Sequence, residues 1–361
     1  MLEGVRIVEI EGLGPGPFAA MMLADLGAEV ICVQRPDGPP LPGLPETNLL
    51  DRGKKTIALD LKSPEDRPLL EALIRSADGL IEGFRPGVME RLGLGPEPCQ
   101  GWNPRLVYGR MTGWGQEGPR ALQAGHDLNY IALSGALWYA SPPGQPPVTP
   151  PTLVGDIGGG AMYLVAGMLA GLIRAGKTGQ GTVVDAAIVD GSAHMMALLM
   201  LMRSGGMFRA QRGTSILDGP HWSRSYECAD GGFVSIQCLE PKFYAEFLSK
   251  MSLSADPAFA RQNDPASWPE ATRRLAAIFA GQPRAYWTAL FEGSDACVAP
   301  VLTPEEALTD PHLSARRTWA QVDGALQPRP APRFDGVARE PAPAPGRDQH
   351  RDEILKGLNL T

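Results

Sequence analysis

The chain has 361 residues, of which 43% are hydrophobic and 20% are charged. This composition is that of an ordinary globular protein and excludes a chain that is disordered throughout. The formal net charge is −7 and no strongly basic run occurs, so nucleic acid is not expected as a partner. The length predicts two domains, and 43 glycines with 35 prolines indicate many turns and ordered loops.

The first 110 residues alternate between apolar strands and helices. Strands are predicted at 5–10, 29–33, 56–61, 79–82 and 106–109, and helices at 18–26 and 64–76. Ser63 is the expected N-cap of the second helix, with Pro64 at its first position. A chain that opens in this way predicts an α/β fold with a Rossmann-like, doubly wound parallel sheet.

The remaining chain carries a second, smaller unit. Helices are predicted at 126–134, 157–174 and 190–202, with a strand at 182–186. After an aperiodic stretch, a strand is predicted at 232–237 and helices at 242–251, 272–280, 286–291 and 351–357. We predict a large discontinuous domain from 1–202 and 326–361, a linker at 203–225, and a small α+β domain at 226–325.

The five cysteines are scattered and show neither a Cys-x-x-Cys pair nor zinc-ligand spacing. They are expected to be small buried residues in a reducing compartment, and no metal site is expected. The N-terminus has no apolar signal region, and the longest apolar stretch, 161–173, is predicted to be a buried helix too short to span a bilayer. These features favour a cytoplasmic enzyme without membrane association.

A glycine-rich turn follows the first strand. Gly14-Pro15-Gly16-Pro17-Phe18-Ala19 matches the G-x-G-x-x-A pattern of dinucleotide-binding loops. However, two prolines remove the N–H groups that hold phosphate, and Gln34-Arg35 stands where an NAD-binding protein has an acidic residue. The pattern therefore favours contact between Arg35 and an anionic, nucleotide-like ligand over an NAD site. The alternative for Arg35 is a solvated strand end.

A histidine stands at the predicted start of a helix. The positive end of the helix dipole lowers the pKa of an imidazole there, so His126 is a candidate general base. Free N–H groups of the first turn, such as that of Asp127, point to the same space and are suited to hold a developing oxyanion. The alternative is a surface histidine followed by an acidic residue that the dipole favours.

An aspartate followed by three glycines stands at the next helix start. The simple interpretation of Asp156 is an N-cap. Three glycines in the first turn each cost about 1 kcal/mol relative to alanine, so the backbone at 158–160 must be approached closely by another helix or by a ligand. With His126, Asp156 forms a candidate pair of unlike bases, which is what a two-base racemase needs.

Several long motifs carry a family resemblance. They are GHDLNYIALSG (125–135), RGKKTIALDLK (52–62), FRPGVMERLGLG (84–95), LADLGAEVICVQRP (23–36) and GTVVDAAIVDG (181–191). They resemble the family III CoA-transferases over nearly the whole chain and in order. The GHDxNYxxxSG form resembles the α-methylacyl-CoA racemases within that group.

The resemblance implies that His126 deprotonates one epimer of a 2-methylacyl-CoA thioester and Asp156 the other, through a planar enolate. It implies that Glu240 assists the histidine. One alternative is a CoA-transferase, in which the aspartate equivalent to Asp156 is a nucleophile that forms a mixed anhydride. Another is a non-catalytic acyl-CoA-binding protein.

The resemblance also implies where coenzyme A lies and how the chain assembles. CoA, present only as part of the substrate, is expected on the Rossmann-like domain, with contacts from Arg35, Ala58, Asp60, Leu61, Lys62, Arg85, Arg91, Gly125, Asn129 and Tyr130. An interlocked homodimer is expected, in which each site is closed by the partner's small domain. Five cations cluster in sequence and would suit the CoA phosphates, with a solvated basic face as the alternative: Arg35, Arg52, Lys54, Lys55 and Lys62. The methionines at 195, 196, 200, 202 and 207 are interpreted as helix core, with an acyl-chain lining as the alternative.

Overall fold

A computed structural model describes residues 1–38, 48–322 and 324–360. The strands in chain order are β1 Arg6–Ile10, β2 Glu29–Gln34, β3 Lys55–Ala58, β4 Gly79–Glu82, β5 Val107–Thr112, β6 Thr182–Ala187, β7 Ser223–Glu227, β8 Phe233–Gln237, β9 Val298–Val301, β10 Trp319–Val322 and β11 Ala325–Pro328. The helices are α1 Pro15–Asp25, α2 Arg67–Ser76, α3 Val88–Arg91, α4 Pro96–Trp102, α5 Asp127–Ser134, a π-helix Leu153–Ala161, α6 Met162–Thr178, α7 Ile188–Met195, α8 Ala197–Ser204, α9 Pro241–Lys250, α10 Trp268–Phe279, α11 Arg284–Phe291, α12 Pro304–Thr309, α13 Pro311–Ala315 and α14 Arg351–Gly357.

A six-stranded parallel sheet organises the larger unit, in the order β3-β2-β1-β4-β5-β6. This order reverses direction between β1 and β4, as in doubly wound dinucleotide-binding sheets. Because helices cover both faces of the sheet, side chains on both sides of most strands are buried, and the strands are short apolar runs in the sequence. Two hydrophobic cores result, one holding Leu73, Leu80 and Tyr108 and the other Ile7 and Met168. The predicted α/β class with a parallel sheet is confirmed.

The chain divides into two compact units: Met1–Ala136 with Pro150–Met195 and Leu308–Thr361, and Leu137–Thr149 with Met196–Ala307. The C-terminal segment belongs to the larger unit, where His350 Nδ1 accepts a hydrogen bond from the Thr56 N–H at 3.1 Å. The boundaries of these units differ from those of the predicted domains. Residues 137–149 and 196–225 belong to the smaller unit, and residues 308–325 belong to the larger one. The predicted layout of domains and linker stays a prediction.

The smaller unit is built on an antiparallel sheet, β7-β8-β9, covered by α9, α10 and α11. Its core is aromatic and includes Trp222, Phe247, Phe259 and Phe279, all fully buried. This is the α+β content that the sequence predicts. Two of its strands were missed, because β7 begins inside the predicted linker and β9 is short and half exposed.

Several helix starts differ from the predictions, including three in the first half of the chain. Helix α1 begins at Pro15 rather than at residue 18, since proline is well suited to the first helical position. Helix α2 begins at Arg67 with Asp66 as N-cap, while the Ser63 hydroxyl accepts the N–H of Glu65 within a preceding turn. The helix predicted at 157–174 begins at Leu153, after Thr152 in the left-handed conformation. The N-cap interpretation of Asp156 is therefore wrong.

The π-helix continues into α6, so one helix runs over Leu153–Thr178. By length and composition these 26 residues could cross a membrane, which corrects the expectation that the apolar stretch is too short. Helix α6 packs on the sheet: a Cβ on Gly171 would lie 2.5 Å from Val107, and one on Gly167 2.4 Å from Val184. A helix that packs on a sheet can have the same length and composition as a membrane-spanning one. Because of its contacts with β5 and β6, we assign this helix to the layer that covers the sheet. The expectation of no membrane association stays a prediction.

All five cysteines are free thiols. Cys32, Cys99, Cys228 and Cys238 are buried, as expected of small apolar residues. Cys297 is exposed, so the same expectation is wrong for it. Helix α8, which holds Met200 and Met202, has no buried residue, and Met195, Met200 and Met207 are exposed. The interpretation of the methionines as helix core is therefore wrong for these positions.

Candidate active site

The predicted catalytic residues of the larger unit lie at the carboxyl edge of the parallel sheet. Helix α5 follows β5 through the loop 113–126, and the glycine-rich turn after β1 lies beside Asp156. A Cβ on Gly14 would be 3.9 Å from Asp156 Oδ2. The turn that matches a nucleotide fingerprint thus lies against the carboxylate of Asp156. Ligands of doubly wound sheets bind at this edge, next to the point where the strand order reverses.

His126 is the N-cap of α5 and is exposed. Its backbone is extended, and its N–H donates to Asn129 Oδ1 at 3.0 Å, which fixes the entry of the chain into the helix. Tyr130, one turn on, donates its hydroxyl to the Gly125 carbonyl. Its ring fills the space beside Gly113, where a Cβ would lie 2.0 Å from the ring. The motif residues therefore build one rigid corner that presents the imidazole.

Asp156 lies in the first turn of the π-helix, and this turn is joined to α5. Asp127 Oδ1 accepts hydrogen bonds from the N–H groups of Gly155 at 2.9 Å and Asp156 at 2.8 Å. A Cβ on Gly155 would lie 2.4 Å from the same oxygen, so glycine is required there. The residue after His126 thus holds the backbone of Asp156, which brings the two candidate bases to one place.

The glycines after Asp156 have a packing role. A Cβ on Gly159 would lie 2.7 Å from Ser192 N, and one on Gly191 would lie 1.9 Å from the Gly159 carbonyl oxygen. The π-helix and α7 thus meet backbone to backbone, which only glycines allow. Of the two explanations that the sequence left open, the approach of another helix accounts for Gly159.

The surroundings of Asp156 change its acidity. Burial of the half-exposed carboxyl and the neighbouring Asp127 raise the pKa of Asp156 to about 6, while His126 acts in the opposite direction. Burial also raises the pKa of Tyr130, as does Asp156, and Arg85 opposes them. These interactions place His126, Asp156, Tyr130 and Arg85 within electrostatic reach of one another. A carboxyl with a pKa near 6 serves as acid and as base close to neutral pH.

The predicted CoA contacts of the larger unit lie at the ends of neighbouring parallel strands. Arg35 follows β2, Ala58 ends β3, and Asp60, Leu61 and Lys62 come directly after it. Arg85 and Arg91 lie after β4 and at the end of α3, and both are exposed. Carboxyl ends of parallel strands share one edge of a sheet, so the fold brings these residues to the edge that holds His126 and Asp156. Gly125, Asn129 and Tyr130 belong to the α5 corner itself.

The sequence did not reveal residues that the C-terminal segment adds to this edge. Arg347 Nη1 donates to the Arg35 carbonyl at 2.5 Å, and its Nη2 bonds Glu11 Oε1 at 2.7 Å. Asp348 Oδ1 accepts the Ala58 N–H at 2.7 Å, and Arg351 donates to the Ala58 carbonyl. The backbone of Ala58 is therefore engaged within the chain. Since these partners are about 290 to 336 residues apart, no local pattern could signal them.

Two of the five clustered cations are buried in internal pairs, so they are wrong as CoA-phosphate contacts. Arg52 Nη2 lies 2.6 Å from Asp25, and Lys54 Nζ lies 2.6 Å from Glu9. A carboxylate oxygen from each of Glu9 and Asp51 and the Cys32 sulfur lie within 4.8 Å of one another, a spacing that suits a metal. The Lys54 ammonium already supplies the positive charge there and also donates to the Pro17 carbonyl at 3.2 Å. This cluster anchors the first turn of α1.

Glu240 belongs to the smaller unit. It is the N-cap of α9 and is exposed. Burial raises the pKa of the Cys297 thiol, and the charge of Glu240 adds to this, so the two side chains are neighbours. The assisting role of Glu240 stays a prediction.

The fold defines an α/β protein with a doubly wound parallel sheet, and the candidate acid–base pair lies at the switch point of that sheet. Residues 2–351 match CoA-transferase family III, and the chain belongs to that family. It is similar to the α-methylacyl-CoA racemases of Mus musculus and Homo sapiens, with 41% and 39% identity over 99% and 100% of this chain and 93% and 94% of theirs. A crystal structure of a CAIB/BAIF family protein from Brucella suis superposes with a TM-score of 0.81, at 25% identity and 99% coverage of both chains. The resemblance stated from the motifs is confirmed.

Proposed function

We propose that this protein is an α-methylacyl-CoA racemase, which inverts the α-carbon of 2-methylacyl-CoA thioesters by moving a proton between two bases. The observation that carries the proposal is the junction of His126 and Asp156 through Asp127. Two unlike bases lie at the N-terminal ends of neighbouring helices, His126 as the N-cap of α5 and Asp156 in the first turn of the π-helix, and Asp156 has a pKa of about 6. The full-length similarity to racemases in two mammals supports it.

The proposed reaction moves two protons, one from the α-carbon to a base and one from the other base to the α-carbon. His126 takes the α-proton of one epimer, and the electron pair of the C–H bond moves into an enolate of the thioester. Protonated Asp156 then gives its proton to the opposite face of the same carbon. The other epimer reacts in reverse, from ionised Asp156 and protonated His126. Because both proton carriers are side chains, the proposed reaction needs no resident cofactor.

The enolate oxygen needs hydrogen-bond donors. N–H groups in the first turn of a helix have no intrahelical acceptor, and Asp127 is the first residue of α5. Its N–H stands directly after His126 and is the donor that we propose for the thioester oxygen. Donors fixed before the reaction stabilise a developing negative charge more than mobile water does.

We propose that the CoA phosphates contact Arg35, Lys62, Arg85 and Arg91 along the carboxyl edge. All four are exposed and follow neighbouring strands β2, β3 and β4. Arg347 donates to the Arg35 carbonyl and so fixes the backbone of that residue. A net-acidic protein must concentrate cations locally to bind so anionic a group.

The test is proton exchange without any acceptor acid. A panel of 2-methylacyl-CoA thioesters in deuterated water, followed by NMR, should lose the α-proton signal as each pure epimer becomes a mixture of both. Exchange only after a free carboxylic acid is added, with CoA moving to that acid, would indicate a transferase. Binding with neither exchange nor transfer would indicate an acyl-CoA-binding protein.

We also propose an interlocked homodimer in the cytoplasm. In α8, the side chains of Leu198 and Leu201 are 63% and 68% exposed, and the helix contributes no buried residue. Large apolar side chains grouped on one short helix are typical of a surface that a partner covers. Light scattering on dilution should show a dimer that does not dissociate without unfolding, and a folded, active monomer would refute the assembly.

A further inference from the structure

We infer that the carboxylate of Asp127 is a positioning residue for Asp156, which ties the first turn of the π-helix to α5 and so fixes the separation of the two bases. This role belongs to the side chain and is separate from that of the Asp127 N–H. The inference rests on the proposed function, since a fixed separation matters only where both bases act on one carbon.

The geometry is that of a built contact. Asp127 is 9% exposed, and a single oxygen of its carboxylate, Oδ1, accepts from two successive N–H groups at 2.9 and 2.8 Å. Those N–H groups belong to Gly155 and Asp156, so the bond reaches the backbone of the proposed base itself. Gly155 is the residue that lets the carboxylate approach, because a Cβ there would lie 2.4 Å from Oδ1.

The π-helix needs this support more than an α-helix would. Nine successive π-helical residues are unusual, since π-helical segments in proteins are mostly single-turn bulges. Its N-cap, Thr152, has φ of 63° and makes no side-chain capping bond. The first N–H groups of the segment would otherwise have no acceptor. On its other side, contact between Gly159 and Gly191 holds the same segment against α7.

The same contact has an electrostatic consequence. The negative charge of Asp127 is one reason why the pKa of Asp156 is raised, after burial. The carboxylate therefore acts on Asp156 twice, by holding its backbone and by its charge. An asparagine at 127 keeps the accepting oxygen and removes the charge, so the two effects can be separated.

The experiment uses the whole protein and three variants with a matched control. Asp127→Ala removes the acceptor, Asp127→Asn keeps it, and Gly155→Ala pushes the carboxylate away. Gly176→Ala is the control, because it also places alanine at a helical glycine of the same continuous helix and would contact nothing within 4 Å. The readouts are amide hydrogen exchange at Gly155 and Asp156, and kcat and KM for racemisation.

We expect Asp127→Ala and Gly155→Ala to speed amide exchange at Gly155 and Asp156. Their kcat should fall on the order of 10²-fold, the effect of a displacement of about 1 Å, with KM changed only a few-fold. Asp127→Asn should keep slow exchange, retain most of the kcat, and move the acid limb of the pH profile to lower pH. Gly176→Ala should match the wild type. If Asp127→Ala does not fold, Asp127→Asn and Gly155→Ala carry the test.

The positioning role is refuted if Asp127→Ala keeps both slow amide exchange and wild-type kcat, or if Asp127→Asn loses as much as Asp127→Ala. A wild-type protein that protects both amides but exchanges no α-proton would refute the proposed function, and the positioning role with it. The two failures are therefore distinguishable, because amide exchange is measured without substrate.

Discussion

Gly14 lies against the carboxylate of Asp156, and a Cβ at position 14 would be 3.9 Å from Oδ2. Gly14 has φ of 66°, a conformation that suits glycine, so the turn after β1 passes the carboxylate without a side chain. The surface that faces the carboxylate at position 14 is therefore bare backbone. A side chain at position 14 would instead contact the carboxylate of Asp156.

The pH dependence follows from the shared proton of the pair. In the proposed mechanism the reactive enzyme holds one proton, on His126 or on Asp156, so both directions of the reaction share one pH profile for kcat/KM. Because the pKa of Asp156 is raised to about 6, acidification through pH 6 adds a second proton and blocks both directions. We expect kcat/KM to fall about tenfold per pH unit below 6, measured from both epimers. Profiles that differ between epimers would contradict the shared pair.

Removal of the imidazole should abolish most of the activity. We expect His126→Ala to lower racemisation by about 10² or more, the usual effect of losing a general base, while CoA binding persists. His312→Ala is the control, since His312 is also exposed and near a helix start, on α13. Activity of His126→Ala within a few-fold of wild type would show that the assignment is wrong.

A cation at the carboxyl edge should affect binding rather than chemistry. Arg91→Ala should raise the KM for CoA thioesters about tenfold or more and leave kcat nearly unchanged, since a hydrogen bond to a charged group is lost. Arg75→Ala, on the exposed side of α2, is the control. The effect of Arg91→Ala should shrink at high salt, and equal effects of both variants would argue against a CoA contact.

The sequence predicted the sheet well because its signals are local. Each strand is a short apolar run followed by a turn, and β1, β2 and β4 lie within one or two residues of their predicted bounds. Helix starts were harder, because the bonds that fix them come from elsewhere. The π-helix begins at Leu153, two residues after Pro151, and the carboxylate that stabilises its first turn is that of Asp127.

The candidate site was only partly visible for the same reason. In the sequence, His126 and Asp156 are recognisable as glycine-flanked predicted helix starts. The position of Asp127 also fits an acidic residue that the helix dipole favours and that has no further role. The hydrogen bonds that its carboxylate accepts from residues 28 and 29 positions further along the chain show that it has a further role. The C-terminal Arg347 lies beside Arg35 only because the chain returns to the sheet. Contacts of this kind depend on tertiary structure and leave no periodic signal.

A buried histidine should make the smaller unit sensitive to acid. Tyr244 donates its hydroxyl to the Phe259 carbonyl at 2.9 Å, so its oxygen accepts the Nε2–H of His221 at 2.7 Å. His221 Nδ1 is buried without a partner among the described residues. Burial, with a smaller contribution from Arg224, lowers the pKa of His221 to about 4. A proton on Nδ1 is therefore unfavourable in the folded state.

The sign follows from proton uptake on unfolding. Between pH 6.5 and about 4 the unfolded chain binds a proton that the folded one does not, so the free energy of unfolding falls as pH falls through this window. The full effect is about 3 kcal/mol. We expect urea unfolding to show this decline, and His221→Phe to flatten it even if the variant is less stable at pH 7. An unchanged slope in His221→Phe would assign the acid sensitivity to other groups.

The last prediction separates racemase from transferase through Asp156. In a racemase this carboxylate exchanges a proton, whereas in a transferase it is acylated, so loss of turnover in Asp156→Asn does not distinguish them. With His126 intact, Asp156→Asn should still exchange the α-proton of one epimer with deuterated water, because the imidazole reaches that face alone. It should not invert that epimer, since no acid stands on the other face. Asp185→Asn is a control, since burial raises the pKa of that carboxyl as well and it lies on β6. Hydroxylamine added to wild type with substrate should leave Asp156 unmodified, and a hydroxamate found there by mass spectrometry would establish the transferase instead.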